Sequence, residues 1–176
     1  MTRDEKARIC DEADVFLAAR KHLDGPQPVW RQNGQLDRLD ASWPIHEESG
    51  ISRAYLAFRV NRISSGAPSV SLIFRQKPLC RVDIMLPDEE DVNPLQAGAL
   101  GLPGVVRGTH IHRWRNNRDY VLDVLPPDEW EIPIKDEVSR ATQTLSHAVA
   151  MICNECEIDF TPEQREVTVP ARERLL

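Results

Sequence analysis

The stretch Arg53-Ala54-Tyr55-Leu56-Ala57-Phe58-Arg59-Val60 alternates apolar and polar side chains with a period of two. Ala54, Leu56, Phe58 and Val60 fall on one side of an extended chain, and Arg53, Tyr55, Ala57 and Arg59 on the other, as in a half-buried β-strand. The pattern recurs twice. Val70, Leu72 and Phe74 alternate with Ser69, Ser71, Ile73 and Arg75, and Cys80, Val82, Ile84 and Leu86 alternate with Leu79, Arg81, Asp83 and Met85. Turn-forming residues 64–68 and 76–78 separate the runs, so consecutive antiparallel hairpins are expected. The polar face collects Arg53, Tyr55, Arg59, Arg75, Arg81 and Asp83.

Downstream, residues 87–107 read as a long loop, acidic over Asp88 to Asp91 and then rich in glycine and proline. A loop of that length is usually functional. It feeds a fourth strand over 107–114, a turn at Asn116-Asn117 and a fifth strand over 119–125. Asp136 is then expected to cap a C-terminal helix over 135–158, with Val138, Ala141, Leu145, Ala148, Val149, Ile152 and Cys156 as its apolar stripe. A tail follows over 163–176, with an edge strand expected at 166–169.

Upstream, Thr2 and Glu5 match a capping box, and Ile9, Cys10, Ala13, Phe16 and Leu17 recur at helical spacing, which predicts a helix within 1–24 ending near His22. Residues 26–50 read as irregular connection with a short arm at 28–32, pinned by Trp30 and Trp43. The expectation is therefore a single α+β domain over 1–176. Its N-terminal helix, five-stranded antiparallel sheet within 51–125 and long C-terminal helix would pack with the helices on one sheet face.

Composition bounds the function. The 176 residues are 41% hydrophobic, enough for a sizeable core, and no apolar run reaches the roughly 18 residues of a membrane span. The charged start, without an apolar signal region, predicts a cytoplasmic protein. Four scattered cysteines, Cys10, Cys80, Cys153 and Cys156, are expected as reduced thiols, with Cys153-x-x-Cys156 an incidental helical spacing. The net charge of −6 argues against a generic nucleic-acid coat, yet residues 53–118 carry 10 basic and 5 acidic side chains while 119–176 carry 5 and 13. A basic sheet beside acidic helices, or signs that pair on folding, are the two readings.

Gly108-Thr109-His110-Ile111-His112-Arg113-Trp114 is the main chemical motif. Two residues apart on a strand, both imidazoles face one way, about 6.5–7 Å apart. The spacing Gly104-x5-His110-x-His112 matches the opening of a cupin metal motif, but its glutamate, its later glycine and its third histidine are absent. Two histidines beside Arg113 and Arg115 are a poor metal site, so no metal and no cofactor are expected, with His46 or Asp83 the extra ligand if one binds. Phosphodiester chemistry suits these residues better. One imidazole can act as base and the other as acid, with Arg81, Arg59 or Arg107 countering phosphorane charge. Arg59, Arg107, Arg113, Trp114 and Tyr120 are the expected substrate contacts. Phosphate-loop, dinucleotide and nucleophile-elbow motifs are absent, which excludes their chemistries.

Arg81-x-Asp83, Asn93-Pro94 before a glycine, Gly108-Thr109-His110-Ile111-His112, Trp114, Asp119-Tyr120-Val121 and Cys156-Glu157-Ile158-Asp159-Phe160 together carry a resemblance. Over residues 81–160 the chain resembles a family of small bacterial and phage proteins of unknown function. Arg113 and Arg115 stand where glutamates often follow the histidine pair in that family. The resemblance implies a small cytosolic protein of a prophage or mobile element, where toxins, defence factors and their inhibitors occur. The expected function is action on RNA or another phosphate-bearing ligand through the histidine face, as a metal-independent ribonuclease. Alternatives are a non-enzymatic inhibitor that engages a protein partner through its acidic C-terminal half, and a metal-dependent enzyme.

Overall fold

Ten residues upstream of the decisive alternation, Arg38–Glu47, form the longest strand of the protein and bury every second side chain. The computed structural model describes all residues except 33–37, 49, 51–52, 62–67, 139–142 and 171–176. Its strands are β1 (Lys21–Leu23), β2 (Val29–Gln32), β3 (Arg38–Glu47), β4 (Ala54–Asn61), β5 (Ser69–Phe74), β6 (Lys77–Asp83), β7 (Glu90–Val92), β8 (Val105–Arg107), β9 (His110–His112), β10 (Asp136–Glu137) and β11 (Ile158–Asp159). Among the described residues, eight of them make one sheet in the order β10-β9-β6-β5-β4-β3-β1-β11, with β2 also paired to β3. β7 and β8 form a separate two-stranded ribbon. The β1–β11 pair is parallel, so the sheet is mixed.

This corrects the expected α+β layout of five antiparallel strands within 51–125. The sheet starts at Lys21, takes in the short arm at 29–32 and residues 38–47 that read as connection, and ends on a strand beyond the last helix. Pro44 hid β3, because proline normally excludes a central strand. It is tolerated because it falls in a gap along one edge of β3. β1 pairs with residues 45–47 and β2 with 39–42, and the carbonyl of Pro44 points into that gap to accept from Asp24 N at 2.9 Å.

Helix α1 (Arg3–Ala18) starts at the expected Thr2–Glu5 capping box but stops short of His22. The buried ammonium of Lys21 donates to the carbonyls of Leu17 and Ala19 at 3.0 and 2.7 Å, occupying acceptors a longer helix would have used. The expected strand over 119–125 is instead helix α2 (Trp114–Asp119) running into a turn of π-helix, Tyr120–Val124. Trp114, Asn117 and Val121 are its buried positions, which is helical spacing. Helix α3 (Leu145–Glu155) is capped by Thr144, not by Asp136, which pairs in β10. The C-terminal helix is thus 11 residues, not the 24 expected. Ala141 of its expected stripe, residues 33–37 of the expected connection, residues 64–67 of the expected turn and the final six residues lie outside the described residues. Residues 166–169 form no strand.

The core lies between one sheet face and the helices. Trp43, Leu56, Phe58, Leu72, Phe74, Val82 and Ile111 meet Cys10, Ala13 and Phe16 of α1 and Val149, Ile152 and Cys153 of α3. Phe16 stacks on Phe74 with centroids 4.7 Å apart. Among the described residues, no helix is long and apolar enough to cross a membrane. The opposite face of the sheet carries the polar residues of β3 to β6 and β9.

Candidate functional site

Strand register assembles the site. Across neighbouring strands Asp40, Arg59, Ser69, Asp83, His110 and Glu137 stand opposite one another in one row, and Ser42, Ala57, Ser71, Arg81 and His112 in the next. An extra residue of β6 near Leu79 shifts the pairing between Leu72 and Ile73, so Leu79 and Cys80 are both buried while Arg81 and Asp83 keep to the polar face. Over β3 to β6 that face is a groove of about 470 Å³, lined by Arg38, Asp40, Tyr55, Arg59, Arg81 and Asp83 among others. At ~4.8 Å per strand, Arg59 and His110 stand roughly 14 Å apart along their row.

Both imidazoles lie on the polar face as the alternation requires, but neither is open to solvent. His110 is 1% and His112 0% exposed. The 130–137 segment and the β7–β8 ribbon help to enclose them, fastened by two buried asparagines. Asn93 donates to the carbonyls of Pro103 and Lys135 and accepts from Lys135 N. Asn117 does the same with the carbonyls of Arg113 and Ile134 and with Ile134 N.

Each ring is oriented through its Nδ1. His110 Nδ1 donates to the carbonyl of Gly108 at 3.0 Å and His112 Nδ1 to that of Ile132 at 2.6 Å. Because a carbonyl only accepts, both protons sit on Nδ1 and both Nε2 atoms turn inward. They converge on one carboxylate oxygen. Asp83 Oδ2 is 3.0 Å from His112 Nε2 and 3.5 Å from His110 Nε2. Arg81 Nε donates to the same oxygen at 2.9 Å, and Arg81 Nη2 lies 2.9 Å from His112 Nε2. His110 Nε2 is buried without a hydrogen bond, with Asp91 Oδ2 3.7 Å away.

Burial disfavours charge on both members of the main pair, with opposite outcomes. For Asp83 the imidazoles of His110 and His112 and the charge of Arg81 outweigh burial and hold the carboxyl well below the usual range. For His112 burial prevails, aided by Arg81, over the attraction of Asp83, and its pKa falls below that of a free imidazole.

The other expected contacts scatter. Arg59 and Arg81 line the groove. Arg107 pairs with Glu90 at 2.6 Å and lines a different, smaller cavity with Met85, Thr109 and Glu137. Arg113 is held by Asp136 and Glu155. Trp114 is buried, stacks on Trp130 at 5.5 Å and donates to Asp14, so it is a core residue. Tyr120 is half-buried in the π-helical turn. His46 sits on β3, four strands from β9, stacked on His22. Several opposite charges pair on folding, as Arg115 with Glu155 and Arg118 with Asp11 and Asp14.

Asp91, Arg38 and Asn117 are the site and support residues that sequence reasoning passed over, and Asn93 entered it only as part of a motif. Arg38 lay in a segment read as connection, and Asn117 in one read as a turn. Asp91 carried no signal beyond an acidic loop. Compared with family models, curated proteins and solved structures, the chain matches none.

Proposed function

We propose that the protein binds a phosphate-bearing ligand, single-stranded RNA foremost, along the polar groove and acts on it where the groove meets Asp83 and the two histidines. The observation that carries this reading is the shared register. The guanidiniums of Arg38, Arg59 and Arg81 line the same concave surface as Asp83, whose carboxylate touches the histidine cluster. Guanidiniums suit phosphate oxygens, Ser69 and Ser71 add hydroxyl donors, and the partly exposed ring of Tyr55 offers a stacking surface for a base. A cytoplasmic location accords with cysteines that are all free and buried.

The test is binding of a labelled single-stranded RNA oligonucleotide in chelator, titrated against salt. Arg59→Ala is expected to weaken binding about tenfold and to lower the salt slope by about one, as loss of one phosphate contact does. Loss of intact RNA is followed in parallel without chelator. Unchanged affinity in both Arg59→Ala and Arg38→Ala, or no binding at low salt, would overturn the reading.

A further inference from the structure

We infer that Asp83 Oδ2, His110 Nε2 and His112 Nε2 form a binding site for a divalent transition-metal ion, with Asp91 as the adjacent fourth donor. The inference rests on the groove reading only for its purpose, since metal binding is measured without RNA.

Three observations carry it. The three donor atoms lie within 4.8 Å of one another. Atoms bound about 2.1 Å from one ion stand roughly 3.0–3.5 Å apart, and the two separations from Asp83 Oδ2, 3.0 and 3.5 Å, already meet that. The two Nε2 atoms lie within 4.8 Å of each other, so an ion would have to draw them closer by a ring rotation.

The second observation is the orientation of the rings. Both Nδ1–H groups are committed to backbone carbonyls, the outer contact that fixes a metal-binding histidine and leaves its Nε2 lone pair free. An acid–base pair would instead need its Nε2 atoms directed at a substrate in the groove. Here they are directed at each other's neighbourhood, beneath a carboxylate.

The third is an imbalance of donors. His110 Nε2 is 1% exposed at the residue level and has no hydrogen-bond partner. His112 Nε2 faces Asp83 Oδ2 at 3.0 Å while also lying against Arg81 Nη2, which can only donate. Lone pairs thus converge beside the Arg81 guanidinium, while Lys135 Nζ holds the other oxygen of Asp91, Oδ1, at 2.8 Å. Arg81 lies beside the position a metal would take and neutralises Asp83 in its absence. Its side chain is 38% exposed at the groove, so it has room to swing aside. Two imidazoles with carboxylates suit zinc, cobalt, iron or manganese better than magnesium or calcium. The ion would then face the groove as a further positive charge for a phosphate.

The experiment uses the untagged full chain with Co²⁺ and Zn²⁺ as probes. One equivalent of Co²⁺ is expected to bind with visible d–d bands, displaceable by Zn²⁺, and to broaden the NMR resonances of His110 and His112 before those of His22, His46 and His147. Asp83→Asn and His112→Gln should each weaken binding by at least about tenfold. Arg81→Gln should strengthen it, because a competing cation is removed, which a merely structural role for Arg81 does not predict. His46→Ala should leave it unchanged. Broadening confined to His22 and His46, or no stoichiometric binding to the wild-type chain, overturns the site even if the buried variants fold poorly. RNA binding in chelator can succeed or fail independently of either result.

Discussion

Asn117 shows how one side chain can hold a site it does not touch. Its carboxamide satisfies both the N–H and the C=O of Ile134 and also the carbonyl of Arg113, at zero exposure. Removing it strands buried backbone groups, each of which costs about 1–3 kcal/mol when unpaired. Asn117→Ala is therefore expected to destabilise the protein by roughly 2–3 kcal/mol in chemical denaturation. Hydrogen exchange should rise first over 132–135, the segment whose Ile132 carbonyl orients His112. Uniformly unchanged exchange there would show that the asparagine does not fasten the segment. In the sequence this residue looks like half of a turn-forming Asn-Asn pair, because side-chain satisfaction of a distant backbone leaves no local pattern.

At the scale of elements, β9 is placed by the turn before it. Gly108 has φ of +68°, a conformation costly to residues with a Cβ, and a Cβ there would lie 3.2 Å from the Pro87 backbone. Its N–H donates to the Glu89 carbonyl and its carbonyl accepts from His110 Nδ1. Gly108→Ala should cost about 1–2 kcal/mol by thermal or chemical denaturation and weaken Co²⁺ binding as well, because the ring loses its anchor. A variant that loses stability but keeps wild-type metal affinity would separate the turn from the site. The histidine pair itself was legible as a strand with both rings on one face, since alternation alone dictates it. That the face is covered was not, because the cover comes from the β7–β8 ribbon, whose sequence reads as loop, and from the 130–137 segment, whose end reads as the start of a helix.

For the whole molecule, the four cysteines report on one shared core. They come from α1, β6, α3 and the residue after α3, and all are buried and free. Burial pushes Cys10 up to about 11 and Cys153 up to about 12, and a hydrogen bond with Cys156 together with burial raises Cys80. Raised pKa values at Cys10, Cys80 and Cys153 leave little reactive thiolate there at pH 8, and burial shields Cys156. Alkylation with iodoacetamide at that pH should therefore be slow in the native protein and reach all four thiols together once it unfolds. Mass spectra rich in singly or doubly labelled chains would contradict a single cooperative core. By itself, the sequence determined the start of α1, the pairing of β4, β5 and β6, the burial of Ala148, Val149 and Ile152 on one helical face, and the common face of His110 and His112. These follow from short-range periodicity and capping, which act within a few residues. Only the tertiary structure decided that 38–47 extends the sheet through a proline set in an edge gap. Only it decided that 114–124 is helical against the acidic edge of α1, and that Ile158–Asp159 returns to pair with β1. It also decided the chemistry of the site. Asp83 meets the histidines because β6 lies beside β9 in a register that no local pattern encodes.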